Sequence, residues 1–311
     1  MLNAPPVHFV YPLVTHDSLL EIDDVDQHWD RFIYGRDVWI VQTFLLLRRK
    51  YPTFTLGKKP RASCINIIHG GNSGEIDHNK SFYFVNLVAD KVRVPWVNYE
   101  IVQNRMQEGW KSAYIPHWPQ PGLIKRKSTR KHVFNVGYLG AEEQNILKKY
   151  SVGNDFKTLG FHYVAMERRG WNDYSEIDIA LAIRRFSRDT FPHKPPSKLI
   201  NSWWAEVPLI AGKDSAYSQI GTEGEHYIAV DSYEQMLAAI KMLARKKEYY
   251  TEIVQNGIKE RKNYSRDMIQ AGWCDILEKK ITPDFQRWQA LRPSFRMLDS
   301  LKRRILRGRS V

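Results

Sequence analysis

Apolar residues fall along the chain in short runs broken by polar or Gly/Pro-rich stretches, an alternation that predicts buried strands interleaved with helices in an α/β protein. Residues 7–12 read as a first strand emptying into the polar loop Thr15-His16-Asp17-Ser18. Behind Asp37, the residues Trp39, Ile40, Val41 and Phe44 to Leu47 recur at helical spacing and end in Arg48-Arg49-Lys50, cations suited to the negative end of a helix dipole. Runs at 64–68, 82–87 and 96–104 predict further strands, the first delivering His69-Gly70-Gly71-Asn72. A Pro-rich stretch at 116–123 and the cationic 125–131 then interrupt the pattern. Beyond them, 133–140, 157–164, 177–183 and the apolar run around Pro208-Leu209-Ile210-Ala211 predict strands, 142–149 predicts a helix, and helices of mixed charge run from Ser232 to about Lys280. The expected organisation is an N-terminal Rossmann-like domain (1–124), a basic linker (125–132), a second Rossmann-like domain (133–282) and a basic amphipathic helix (283–311).

The densest signal spans 194–211. Pro195 and Pro196 cannot lie inside a helix, so a helix begins after them, with Ser197 as its expected N-cap and Lys198 in the first turn. A lysine there opposes the helix dipole unless an anion is also present, and free N–H groups at the same end suit a phosphate. The helix feeds Pro208-Leu209-Ile210-Ala211, apolar enough for a strand buried on both faces.

Between Val133 and Leu243 these features, in order, resemble the C-terminal domain of GT-B nucleotide-sugar glycosyltransferases, in which a Pro-x-Ser-Lys-Leu segment grips the nucleotide diphosphate and ribose. Two positions depart from that pattern: Asn201 stands where the family often has a ribose-binding Glu, and Glu206 where it usually has Gly. The resemblance implies two doubly wound domains facing a cleft. It implies donor binding by Gly137, Tyr138 and Gly140 after the first strand, by Ser197, Lys198, Leu199 and Asn201, and by Ser215, Ala216 and Tyr217 in the loop where the family contacts sugar. Such enzymes move a sugar from a nucleotide-diphosphate sugar to an acceptor hydroxyl, usually without a catalytic metal, and no Asp-x-Asp motif stands in a suitable loop here. No cofactor is expected beyond the donor substrate itself. An inverting enzyme needs a general base, for which His16, Asp17 and His69 are candidates because they follow predicted strands. Asp178, in a strand where the family commonly carries Asp, reads as structural.

The chain has 311 residues and a formal charge of +13, which favours anionic partners: nucleic acid, nucleotide phosphates or an acidic membrane. Its two cysteines, Cys64 and Cys274, form no metal or disulfide pattern and fit a reducing cytosol. The first residues carry no secretory signal, and no run is long and apolar enough to span a bilayer. In the tail, Trp288, Leu291, Phe295, Leu298, Leu301 and Ile305 recur at helical spacing among arginines and lysines, so residues 287–309 are expected either to lie on an anionic membrane, at the inner face of the plasma membrane, or to pack their apolar stripe across the first domain. A glycan or lipid-linked acceptor follows from the first of these. The alternatives are a non-catalytic nucleic-acid-binding protein, motivated by the charge and ten tryptophans, and a membrane scaffold with a degenerate GT-B core. Since the tryptophans mostly fall in strand-like runs and no RNA-binding signature appears, no nucleic-acid partner is expected.

Overall fold

The computed structural model describes residues 6–13, 20–79, 81–91 and 93–308. The chain forms two compact units, one made of Met1–Ile115 with Ile269–Val311, the other of Pro116–Met268.

In the first unit, β1 (Val7–Val10), β2 (Thr55–Gly57), β3 (Ile65–His69), β4 (Tyr83–Leu87), β5 (Tyr99–Val102) and β6 (Ser112–Tyr114) form a parallel sheet in the order β2-β1-β3-β4-β5-β6. β1, β3, β4 and β5 are buried along their whole length, as strands covered on both faces require. The helix after Asp37 opens with a π-helical turn and continues as α1 (Thr43–Arg48).

The second unit repeats the plan with β7 (Asn135–Tyr138), β8 (His162–Ala165), β9 (Ile179–Ala182), β10 (Leu209–Ala211) and β11 (Ile228–Ala229) in the parallel order β11-β10-β9-β7-β8. Its helices are α2 (Val152–Thr158), α3 (Ser197–Ala205), α4 (Ser215–Ser218), α5 (Tyr233–Arg245) and α6 (Lys247–Glu260). Leu181 and Ile210 point to one face, where they pack with Met236 and Ile240. Ala180 and Leu209 point to the other, packing with Leu199 and Trp203 of α3.

Two expected elements differ. The helix at 142–149 is a pair of 3-10 turns, because Asn145 takes an extended backbone between them and its side chain accepts the Leu147 N–H (3.1 Å), a local bond that competes with helix propagation. Residues 157–158 end α2, and the strand expected at 157–164 is β8, starting at His162.

The expected linker is also not a free connector. Arg126 and Arg130 each donate to the buried Asp178 (2.9 Å and 2.6–2.8 Å), which also accepts the N–H groups of Phe134 and Asn135 (2.9 and 2.8 Å). The cationic stretch is thereby bound to the second sheet, and the chain divides at Pro116 instead of within 125–132.

The chain returns to the first unit through α7 (Arg266–Ile276), α8 (Thr282–Ala290) and α9 (Pro293–Gly308). Tyr83 of β4 donates its hydroxyl to Asp284 of α8 (2.7 Å) and meets Phe285 and Trp288 edge-on. Trp288 is thus buried, whereas Phe295, Leu298, Leu301 and Ile305 remain exposed, so the tail's stripe is divided between core and surface. Among the described residues no helix is long and apolar enough to cross a membrane.

Candidate functional site

In a parallel sheet, ligands bind beyond the carboxyl ends of the strands, at the point where the strand order reverses, because neighbouring connections there leave on opposite faces and open a crevice. The order of the second sheet places that point between β7 and β9.

Tyr138 and Gly140 stand at the end of β7, Arg184 just past β9, and Asp214 just past β10, at the N-cap of α4. Lys198 enters from the first turn of α3, with its Nζ 4.7 Å from the centre of the Tyr138 ring. A Cβ on Gly140 would sit 2.5 Å from that Nζ and 2.9 Å from the Tyr138 hydroxyl, so the glycine is what lets the ammonium lie against this backbone. Gly137 is required differently: a Cβ there would meet the buried Ile177 at 2.7 Å, a packing constraint.

Arg184 donates from Nε to Asp214 Oδ2 at 2.7 Å, and Asp214 is almost fully buried with its Oδ1 unpaired. Burial, then the repulsion of Arg184, pulls the Lys198 ammonium down to about 7, with Asp214 opposing. Burial also pushes Asp214 up, while Arg184 and Lys198 hold it down. The cluster is therefore two cations sharing one carboxylate, with a lysine poised near neutrality. An incoming polyanion would restore its full charge, the electrostatics of a phosphate site.

The other expected donor residues separate into groups. Ser197 begins α3 but does not cap it: Pro196 is the N-cap, and its carbonyl accepts the N–H of Leu199 (3.0 Å) and Ile200 (3.2 Å). Leu199 is core. Asn201 turns its Oδ1 to the backbone N–H of Gln120 (3.2 Å) and is spent on holding that segment. Ser215, Ala216 and Tyr217 form α4 directly after Asp214; all three are buried, and Tyr217 packs against Tyr227. Glu206, where the related pattern has Gly, takes a left-handed backbone (φ 61°, ψ 41°) as it ends α3, and its carboxylate pairs with Lys125 (3.1 Å) and Arg261 (3.2 Å).

Arg184 and Asp214 stand in no motif of the sequence, and only the structure joins them to Lys198. The signal that marks them is a charged residue two or three positions beyond a fully apolar strand of a parallel sheet, on the side where ligands bind.

In the first unit, the order β2-β1-β3 places the reversal between β1 and β3. His69 closes β3 there, buried, its Nδ1 accepting the Gly71 N–H (3.3 Å). Burial lowers it to about 4, so the imidazole is neutral at physiological pH; with Nδ1 taken by the Gly71 N–H, the ring's proton sits on Nε2 and the group is a weak base in this arrangement. His16 and Asp17 lie outside the described residues. Asp178 is held below the usual carboxylate range: burial pushes it up, but Arg130, the two backbone N–H groups and Arg126 outweigh that, as a structural anchor requires.

No protein-family model matches the sequence, and no curated protein does. Solved structures do. Sucrose-phosphate synthase from Thermosynechococcus elongatus aligns over 83% of this chain and 79% of its own, at 9% identity and a TM-score of 0.52. HepE from Anabaena, solved in complex with UDP and glucose, aligns over 88% of this chain and 99% of its own, at 9% identity and a TM-score of 0.51. TarM aligns over 70% of this chain at 12% identity and a TM-score of 0.48, and the match spans only 55% of TarM. The chain has the GT-B glycosyltransferase fold.

Proposed function

We propose that this GT-B chain is a glycosyltransferase that moves a sugar from a nucleotide-diphosphate sugar to an acceptor hydroxyl. The observation that carries the reading is the Lys198 ammonium, set against Gly140 and Tyr138 at the strand-order reversal of the second sheet, with Arg184 and Asp214 beside it. As the glycosidic bond breaks, charge grows on the β-phosphate oxygen. An ammonium fixed at that oxygen meets more negative charge in the transition state than in the bound donor, so it stabilises the transition state more.

Charge supplied by Lys198 and Arg184 makes a divalent metal unnecessary in this reading, and turnover is expected to persist in EDTA. If the enzyme inverts, His69 is the described candidate for the base, with His16 and Asp17 the others, and a single substitution that leaves turnover unchanged removes its residue from that role. The reading extends to a glycan or lipid-linked acceptor in cell-envelope or extracellular polysaccharide synthesis, in the cytoplasm, with residues 287–309 meeting an anionic membrane. The nucleic-acid alternative is disfavoured by the cores: Trp39, Trp118, Trp203, Trp273 and Trp288 are buried, and Arg126 and Arg130 are occupied by Asp178.

The test is thermal stabilisation by UDP, GDP, CMP and dTDP and their sugars, for the native chain and Lys198→Ala. Stabilisation by one nucleotide diphosphate, lost in the variant, supports the donor site and names the base. No shift with any of them overturns it.

A further inference from the structure

An amphipathic helix on a folded protein ordinarily turns its apolar stripe inward. α9 does the opposite. Phe295, Met297, Leu298, Leu301 and Ile305 are all exposed, Phe295 at 54% and Ile305 at 58%, whereas Ser300 and Arg303 on the other side are buried at 6% and 3%. The helix is held by its polar residues. Arg303 pairs with Asp299, which lies 4.0 Å from Lys111. Arg296 donates to the carbonyls of Leu291 (3.0 Å) and Gln289 (2.8 Å) and covers the Trp288 ring at 4.3 Å. Large apolar side chains left in water at one-turn spacing, while a guanidinium is buried behind them, describe a surface whose partner is absent from the isolated chain.

Charge and aromatics select that partner. Lys302 and Arg304 flank the stripe and are exposed. Trp110, itself exposed, lies 5.7 Å from the Lys302 ammonium and 5.3 Å from that of Lys111, placing an amphipathic ring next to cations, as at membrane interfaces. Alongside the helix, a cavity of about 370 Å³ is lined by Arg296, Arg303 and Arg304 against Asp77, so the flank is positive as well. A second protein would need complementary acids ringing an apolar groove, whereas an anionic bilayer offers both features everywhere on its surface.

We propose that α9 is an in-plane docking helix for a bilayer carrying anionic phospholipid, with Phe295, Met297, Leu298, Leu301 and Ile305 entering the acyl boundary and Lys302, Arg304 and Trp110 at headgroup level. This deepens the membrane part of the function proposed above and is independent of the donor chemistry.

The test is co-sedimentation of the full chain with phosphatidylcholine vesicles, with and without phosphatidylglycerol, for the native protein, Leu298→Ser/Leu301→Ser and Lys302→Ser/Arg304→Ser. The leucine variant keeps the net charge, and its substituted side chains are exposed, so an unchanged melting temperature reports an intact fold. The native chain is expected to pellet with anionic vesicles only, and each variant to bind roughly tenfold or more weakly. Native-strength binding by the leucine variant would reduce the helix to charge adsorption and overturn insertion. A native chain that ignores vesicles, or that forms a concentration-dependent dimer abolished by the leucine variant, would overturn the bilayer as partner. Nucleotide stabilisation measured on the same samples separates any of these failures from failure of the donor site.

Discussion

Lys198 carries the chemistry at the scale of single residues, and its position sets a pH signature. In the free protein its ammonium titrates near 7. A bound diphosphate raises that value, so binding takes up a proton at and above neutral pH, and affinity falls as pH rises past about 7. Calorimetry in buffers of different ionisation enthalpy is expected to show that uptake and to lose it in Lys198→Met. The sign for stability is the reverse of the usual lysine case. With the folded value depressed from 10.5, the unfolded chain holds the proton more tightly, so the penalty is complete below about 7 and fades as pH rises through 10.5. Lys198→Met is therefore expected to raise the melting temperature, more in mildly acidic than in alkaline buffer, a stabilisation that costs function. Gly140→Ala tests the same contact from the backbone. Its new methyl would press on both the Lys198 ammonium and the ring of the buried Tyr138, so stability is expected to fall by about 1–3 kcal/mol and nucleotide affinity to fall with it.

Elements are decided by how they end and what anchors them. α3 closes with the N–H of Val207 bonded to the Ser202 carbonyl (3.1 Å) and that of Glu206 to the Trp203 carbonyl (3.4 Å), a Schellman end that puts Glu206 in the left-handed region. A non-glycine residue there costs roughly 1–2 kcal/mol, against ~0–1 kcal/mol returned by partly exposed ion pairs. Glu206→Gly is therefore expected to be neutral to mildly stabilising in a denaturant titration, and a loss above about 1 kcal/mol would contradict this account of the end. Asp178 has the opposite character. It satisfies two arginines and two backbone N–H groups from a fully buried position, so Asp178→Ala should cost about 3–5 kcal/mol by taking the carboxylate from Arg126 and from both N–H groups, while Arg130 keeps Glu176. Because its folded pKa is lowered, its contribution is present above the ordinary Asp value of 3.8 and is lost as pH falls through the folded value, which an acid titration of native against Asp178→Asn protein will show.

For the molecule as a whole, the chain builds its first core from both ends: Tyr83 needs Asp284, Phe285 and Trp288, some two hundred residues later in sequence. A fragment of residues 116–268 is expected to fold alone and bind the same nucleotide as the full chain, whereas a chain ending at 268 should lose cooperative unfolding of the first unit, both read by circular dichroism melts. The division between sequence and structure follows from range. Local order determined much: the apolar runs became parallel strands because strands covered on both faces lack an exposed polar alternation, and the prolines before Ser197 set the start of α3 because they cannot lie within it. What depended on distant neighbours was decided only by tertiary structure. Gly140, Asp214 and the pair Arg184 and Lys198 come from three separate connections, and only the strand order brings them to one crevice. The basic linker became an anchor because Asp178, some fifty residues on, is buried and needs its charge balanced. The tail's periodicity predicts a helix and a stripe, but which face meets the protein was settled by tertiary contact: Lys111, just before β6 of the first sheet, reaches Asp299 (4.0 Å), and Ser300 and Arg303 beside it are buried.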